Sequence, residues 1–396
     1  MTEIPNFPGV NLVGAFDSPM GLSEAARGTA RALEAAGIPF SRINWPGDPL
    51  SASSFTYPIN IFQFNPNLLM HFLVEGGDEV LADRYNIGVW FWESQRFPEE
   101  WKYGFGVLDE IWAPSKYCET SFASVSPLPV VRIPVAVDLL APTFGRKELG
   151  LPDDVFIFLF MFDAGSTYER KNPSAVVEAF LKAFGLLRED VMLVIKSSSD
   201  GIDPQGSADL EGLYKGAQNV RRIPRTMPRD ELNSLIAVSD CYVSLHRSEG
   251  FGLPIAEAMF YGKPVIATDF SGNCDFMDAS NSFPVRYTLE KLGDKVRHPA
   301  FSSDDIWALP DIDHAAELMA QVFSDRQNAL DKGRRAAQTI RSVLGPAKVG
   351  KTISQRLNEI EELSTQNLDE RRRKWTLSRF LAQQVRSQAA SPQTRP

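Results

Sequence analysis

The sequence predicts an α/β protein made of two Rossmann-like, doubly wound parallel-sheet domains. Three observations lead there. The chain has 396 residues, a length that suits two domains. Short apolar runs alternate with helical patterns along it, the order produced by helical crossovers on a parallel sheet. Residues 241–268, CYVSLHRSEGFGLPIAEAMFYGKPVIAT, read as one complete unit of that kind.

That stretch organises the rest. Cys241 to Leu245 is an apolar run short enough for a buried strand. A polar, glycine-bearing loop follows at 247–252. Pro254 stands in the first turn of a helix, where a missing N–H costs nothing. Ile255, Ala258 and Met259 supply that helix's apolar face. Gly262 fits its stop, and Pro264 leads into a second strand run at 265–267. The turn Gly250, Phe251, Gly252, Leu253 therefore aims free N–H groups and a positive helix end at one place, where a phosphate is favoured. Glu249 and Glu257 frame that place. A carboxylate repels phosphate, so these acids are read as partners of hydroxyls on either side of it. Phosphate flanked by hydroxyl-bearing rings describes a nucleotide sugar. The competing reading is an ordinary βαβ unit with surface acids.

Composition narrows the class. Hydrophobic content of 43% permits substantial cores, and a net charge of −9 argues against nucleic acid as the main partner. The three cysteines, Cys118, Cys241 and Cys274, lack metal-ligand spacing and fit a reducing compartment, hence the cytoplasm. The start, MTEIPNFPGV, lacks the regions of a signal peptide, and no apolar run is long enough to span a bilayer.

In chain order, residues 9–16 read as a first buried strand and 22–36 as a helix closed by Gly37. Gly21 sits at the turn between them, with Ser23 and Glu24 at the helix start. Gly21 either only permits the turn, with Ser23 as cap, or brings its loop against a donor phosphate. Further strands are expected at 59–64, 87–91, 110–113 and 130–135. Ligands of parallel sheets gather at the carboxyl ends of strands. Trp90, Phe91 and Trp101, around one such end, are read as core. Glu93, an acid just after a buried strand, has less reason to be there and is a candidate for lining an acceptor site. A proline-flanked segment at 134–142 suits a domain boundary.

The second half opens on the apolar run 155–162, followed by DAGSTYERKNP. Pro173 starts a helix to about Phe184, so Arg170 and Lys171 precede a helix N-terminus and together can neutralise a diphosphate. A solvated surface pair is the alternative. Residues 192–196 form the next strand, with Lys196 at its end facing a ligand or solvent. A short strand at 220–224 precedes a helix beginning near Arg229. His246, three residues before Glu249, either touches the sugar or bonds within its loop. Residues 281–285 fit an edge strand. Residues 307–311 lead into a helix at 312–323, and 343–363 read as one long helix. Arg371–Lys374, then Trp375, Leu377, Phe380 and Leu381, fit docking on an anionic membrane surface or packing on the first domain. Residues 387–396 read as disordered.

The segment SEGFGLPIAEAMFYGKPVIAT resembles the signature of retaining GT-B glycosyltransferases of family four (glycosyl transferases group 1). The match includes their E-x7-E glutamates, here Glu249 and Glu257. The resemblance covers residues 155–345 well and the first domain loosely. It implies two Rossmann-like domains facing across a cleft: 1–140 for the acceptor, 141–350 for the donor, and helices in 351–386 returning to the first. It also implies transfer of a hexose, mannose or glucose, from a nucleoside diphosphate sugar to a glycan or lipid-linked acceptor of bacterial surface polysaccharide. Glu249 would orient the sugar and Glu257 hold the ribose. Lys171 would meet the diphosphate, and backbone around Ile223 and Pro224 would border the base. The leaving phosphate would take the acceptor's proton. The family's loop arginine is absent, since Gly165, Ser166 and Thr167 fill its place, and Arg170 is the substitute. No Asp-x-Asp motif appears where metal-dependent transferases use one, so neither metal nor cofactor is expected. A sugar-nucleotide epimerase and a non-catalytic nucleotide-sugar-binding subunit are the rival readings.

Overall fold

The computed structural model describes residues 9–163, 165–198, 204–293 and 300–364, with Thr376, Phe380 and Gln383. The chain divides into two compact units. The first holds Met1–Trp92, Arg96–Ala136 and Gly345–Pro396; the second holds Glu93–Gln95 and Val137–Leu344. Of the tail, Arg371–Lys374, Trp375, Leu377, Leu381 and residues 387–396 lie outside the described residues, and Phe380 is exposed.

The first unit contains a six-stranded parallel sheet. Its strands are β1 (Val10–Gly14), β2 (Phe40–Asn44), β3 (Ile59–Phe62), β4 (Tyr85–Val89), β5 (Glu110–Ala113) and β6 (Val130–Arg132), in the order β2-β1-β3-β4-β5-β6. The central strands are buried along their whole length, which is why they read as unbroken apolar runs. β2 is not among the strands expected from the sequence. It is an edge strand, Phe-Ser-Arg-Ile-Asn, with one buried residue, so it carries no apolar run.

Two helices close one face of this sheet. Ala32 and Leu33 of Gly21–Ala35 share a core with Val349, Ile353, Leu357 and Ile360 of Pro346–Ser364. A Cβ added to Gly350 would stand 2.2 Å from the Ala32 carbonyl oxygen, so the helices meet backbone to backbone there. Gly350→Ala is expected to force them apart and cost about 1–3 kcal/mol, read as a lower urea midpoint. An unchanged midpoint would refute this packing.

The long helix expected at 343–363 is corrected. One helix, Arg326–Val343, ends there, and a new one begins at Pro346. Proline has no N–H and disfavours helical backbone in the residue before it, so Leu344 and Gly345 form a break.

The second unit repeats the design. β7 (Phe156–Phe162), β8 (Val191–Ser197), β9 (Val220–Pro224), β10 (Cys241–Ser244), β11 (Val265–Thr268) and β12 (Phe283–Val285) form a parallel sheet in the order β12-β11-β10-β7-β8-β9. The order reverses between β7 and β10, the switch point outside which ligands of such sheets bind. A ribbon of β13 (Tyr287–Lys291) and β14 (Ile306–Pro310) is antiparallel and separate from the sheet. The sequence predicts no strand at 287–291 and only a lead-in to a helix at 307–311. β13 is mostly exposed, so its residues carry no buried pattern.

Candidate active site

The loops after β7 and β10 emerge side by side at the switch point of the second unit, and they bring the candidate residues together. The loop after β10 holds Glu249, whose residue is 8% exposed. The loop after β7 ends in a single helical turn, Tyr168–Lys171, which carries both cations. Lys171 Nζ donates to Glu249 Oε1 at 2.5 Å, and Arg170 Nη1 donates to Glu249 Oε2 at 3.2 Å. Burial pushes the Glu249 carboxyl up, but the Lys171 and Arg170 charges outweigh it and hold it at about 2. Glu249 is therefore a carboxylate at any physiological pH.

Both terminal nitrogens of Arg170 are engaged, while its buried Nε has no hydrogen-bond partner among the described residues. Its Nη1 also donates to Ser248 O at 3.0 Å, and Nη2 donates to Ser166 O at 3.0 Å. Nη2 lies 3.4 Å from Glu93 Oε1 as well. The residue is 4% exposed. Its charge braces two carboxylates and two loops. Glu93 belongs to this second unit, and its carbonyl accepts from Trp307 Nε1 of β14 at 3.1 Å.

The glycine loop opens the helix Leu253–Phe260. Gly252, its N-cap, has φ 89°, a left-handed conformation that favours glycine. Gly250, Phe251 and Gly252 are buried, and Leu253 and Pro254 are half-buried. Ile255 offers no open amide. Its side chain is 1% exposed and its N–H turns back to Gly252 O at 3.0 Å. Pro254 has no N–H, so neither residue 254 nor residue 255 offers an amide to an anion. Glu257, on the inner face of this helix, is 2% exposed and pairs with Arg229 at the start of Arg229–Val238. Neither the spacing nor the composition around Arg229 signals that partnership.

His246 is enclosed. Nε2 faces Phe270 O at 3.2 Å and Asn273 Oδ1 at 3.0 Å, while Nδ1 meets Ser244 Oγ at 3.1 Å. Two oxygen acceptors assign the proton to Nε2, so Nδ1 accepts from the serine. Burial lowers its pKa, which keeps the ring neutral. The ring's bonds run to the end of β10 and to the loop after β11.

The remaining candidates lie on neighbouring strand ends. Lys196, next to last in β8, is half-buried, and burial lowers its pKa. Ile223 and Pro224 end β9, the first half-buried and the second exposed. Gly21 belongs to the first unit, where it opens the helix Gly21–Ala35 with nothing within 4 Å of an added Cβ. Among the described residues, no group of three or more His, Cys, Asp or Glu is arranged to hold a metal ion. No described helix is long and apolar enough to cross a membrane.

Backbone strain concentrates here. Four described non-glycine residues have positive φ: Asp83, Thr167, Asn172 and Ser271. Thr167 and Asn172 bracket the turn that bears the cations, and Ser271 lies beside Glu249. Such strain persists where surrounding contacts over-determine it, commonly at functional sites.

Residues 143–283 match the family glycosyl transferases group 1. A D-inositol 3-phosphate glycosyltransferase of Xylanimonas cellulosilytica is 32% identical over 141 residues, which are 35% of this chain and 32% of that protein. The Escherichia coli UDP-Gal:alpha-D-GlcNAc-diphosphoundecaprenol alpha-1,3-galactosyltransferase is 28% identical over 159 residues, 38% of this chain and 39% of its own. The chain thus spans about a third of the length of these curated relatives. Two solved structures share the fold. Sucrose-phosphate synthase of Thermosynechococcus elongatus has a TM-score of 0.65 at 16% identity, over 90% of this chain and 99% of its own. Anabaena Alr3699/HepE, in complex with UDP and glucose, has a TM-score of 0.63 at 14% identity, over 89% and 99%. The fold is accordingly of the GT-B class, with two parallel six-stranded α/β sheets.

Proposed function

We propose that this chain is a retaining, metal-independent glycosyltransferase that moves a hexose from a nucleoside diphosphate sugar to a glycan or lipid-linked acceptor. One observation carries the reading: a buried carboxylate, Glu249, is held ionised by Lys171 and Arg170 beside a helix N-terminus at the sheet's switch point. The names of the relatives support sugar transfer, and one of them acts on a lipid diphosphate-linked sugar. A neighbour bound to UDP and glucose supports a nucleotide-sugar donor. Metal independence rests on the lack of an Asp-x-Asp motif at the position where metal-dependent transferases use one. A role in bacterial surface polysaccharide, a cytoplasmic location and peripheral membrane contact belong to the same reading.

The residues divide the work as follows. The Gly252 and Leu253 amides take the diphosphate, with Lys171 and Lys196 as its cations. Arg170 stays on Glu249 and fixes its aim. Glu249 grips the hexose and Glu257 the ribose. Ile223 and Pro224 border the base, and Glu93 stands on the acceptor side. The departing phosphate oxygen accepts the proton of the acceptor hydroxyl.

The test is a thermal-shift panel of UDP-, GDP-, dTDP- and ADP-sugars. One nucleotide class is expected to stabilise the chain by about 2.7 kcal/mol at a hundredfold excess over its dissociation constant. Glu257→Ala should abolish that shift. A panel in which no sugar nucleotide shifts the wild-type chain would refute the reading.

A further inference from the structure

The turn after β11 does more than connect. Ser271 has φ 76° and ψ −144°, close to a region essentially reserved for glycine. Its neighbour Gly272 is glycine by necessity, because an added Cβ would stand 2.3 Å from Gly250 O. Nothing comparable demands a side chain at 271, yet serine is there. Its hydroxyl donates to Phe270 O at 2.5 Å and accepts from the Glu249 N–H at 2.8 Å. The Gly272 N–H in turn donates to Glu249 O at 2.9 Å. Glu249 lies in an irregular loop with no sheet ladder to hold it. Two consecutive residues of the adjacent strand's loop therefore pin both of its backbone groups, while Lys171 and Arg170 pin its carboxylate.

We propose that Ser271 is a positioning residue for Glu249, and that the strained turn persists because only a side chain there can hold the Glu249 amide. The inference rests on the transferase reading of Glu249. Catalytic groups must be placed closely, since displacement of the order of 1 Å costs rate steeply. The serine acts through Glu249 and touches no substrate itself.

Two substitutions separate this role from simple folding. Ser271→Ala removes the hydroxyl and keeps the strain. Ser271→Gly removes the same hydroxyl and releases the strain. Release of nucleoside diphosphate is measured from whichever of UDP-glucose, UDP-galactose and GDP-mannose the wild-type chain consumes. Both variants are expected to lose about tenfold in kcat, with donor KM moving less than about twofold. Their thermal midpoints should diverge, with Ser271→Gly melting at or above the wild type and Ser271→Ala below it. Activity would then follow the hydroxyl and stability the backbone. If Ser271→Gly keeps wild-type kcat, or activity simply tracks the midpoint, the inference is overturned. Glu249→Gln is the control: wild-type turnover there would overturn the transferase reading itself, whereas collapse of Glu249→Gln with full activity in both serine variants would overturn only the positioning role.

Discussion

On the proposed function, replacing Glu249 by Ala is expected to lower turnover by about a hundredfold or more, because it removes the group assigned to the sugar and releases Lys171. It should also destabilise the second unit by about 3–5 kcal/mol. Arg170, which is buried, and Lys171, which is half-buried, would lose their shared carboxylate, and an uncompensated buried charge is costly. Glu249→Gln keeps the volume and gives a cleaner pH test. The folded carboxyl is held at about 2, against an ordinary value of 4.5. Between these values the unfolded chain binds more protons, so stability rises with pH. The contribution of Glu249 is complete above about pH 4.5 and is lost as pH falls toward 2. Glu249→Gln should therefore flatten the stability curve across that window in urea titrations. Parallel curves for the two proteins would sink the claim that the cations hold this acid ionised.

Arg356→Ala is expected to cost the first unit about 3–5 kcal/mol, through a different buried pair. Glu110 of β5 is fully buried, and three side chains donate to its carboxylate. Arg356 donates through Nε at 2.9 and 3.1 Å and through Nη2; Tyr85 Oη donates at 3.0 Å and Trp112 Nε1 at 2.7 Å. The arginine comes from Pro346–Ser364, so the pair ties that helix to the sheet. Removing it leaves a buried negative charge with only neutral donors. The double variant Glu110→Gln with Arg356→Met should recover much of the loss, because it removes both charges together. Equilibrium unfolding of the four proteins in a double-mutant cycle checks this. A single-variant loss below about 1 kcal/mol would place the pair among ordinary surface bridges.

Local chemistry made much of this molecule readable. The run from Cys241, the glycine loop, Pro254 in the first helical turn and the strand after Pro264 were legible because each acts over a few neighbouring residues. The fully buried strands β1 and β7 were legible for the same reason: they have no polar face. The half-exposed edge strand β2 and the exposed β13 were not, since partial burial leaves no apolar run. The break at Pro346 was written in the sequence but outweighed there by the helical pattern on either side.

By itself the sequence determined which loop bears the glycines, which residues are acids and cations, and that two crossover units share the chain. Only the tertiary structure decided how those groups spend their charge. Arg170 and Glu249 stand 79 positions apart, and Ser271 reaches Glu249 across 22. Such pairings depend on which strands neighbour each other at the switch point. Strand order follows from packing the whole sheet, and no stretch of chain a few residues long carries it.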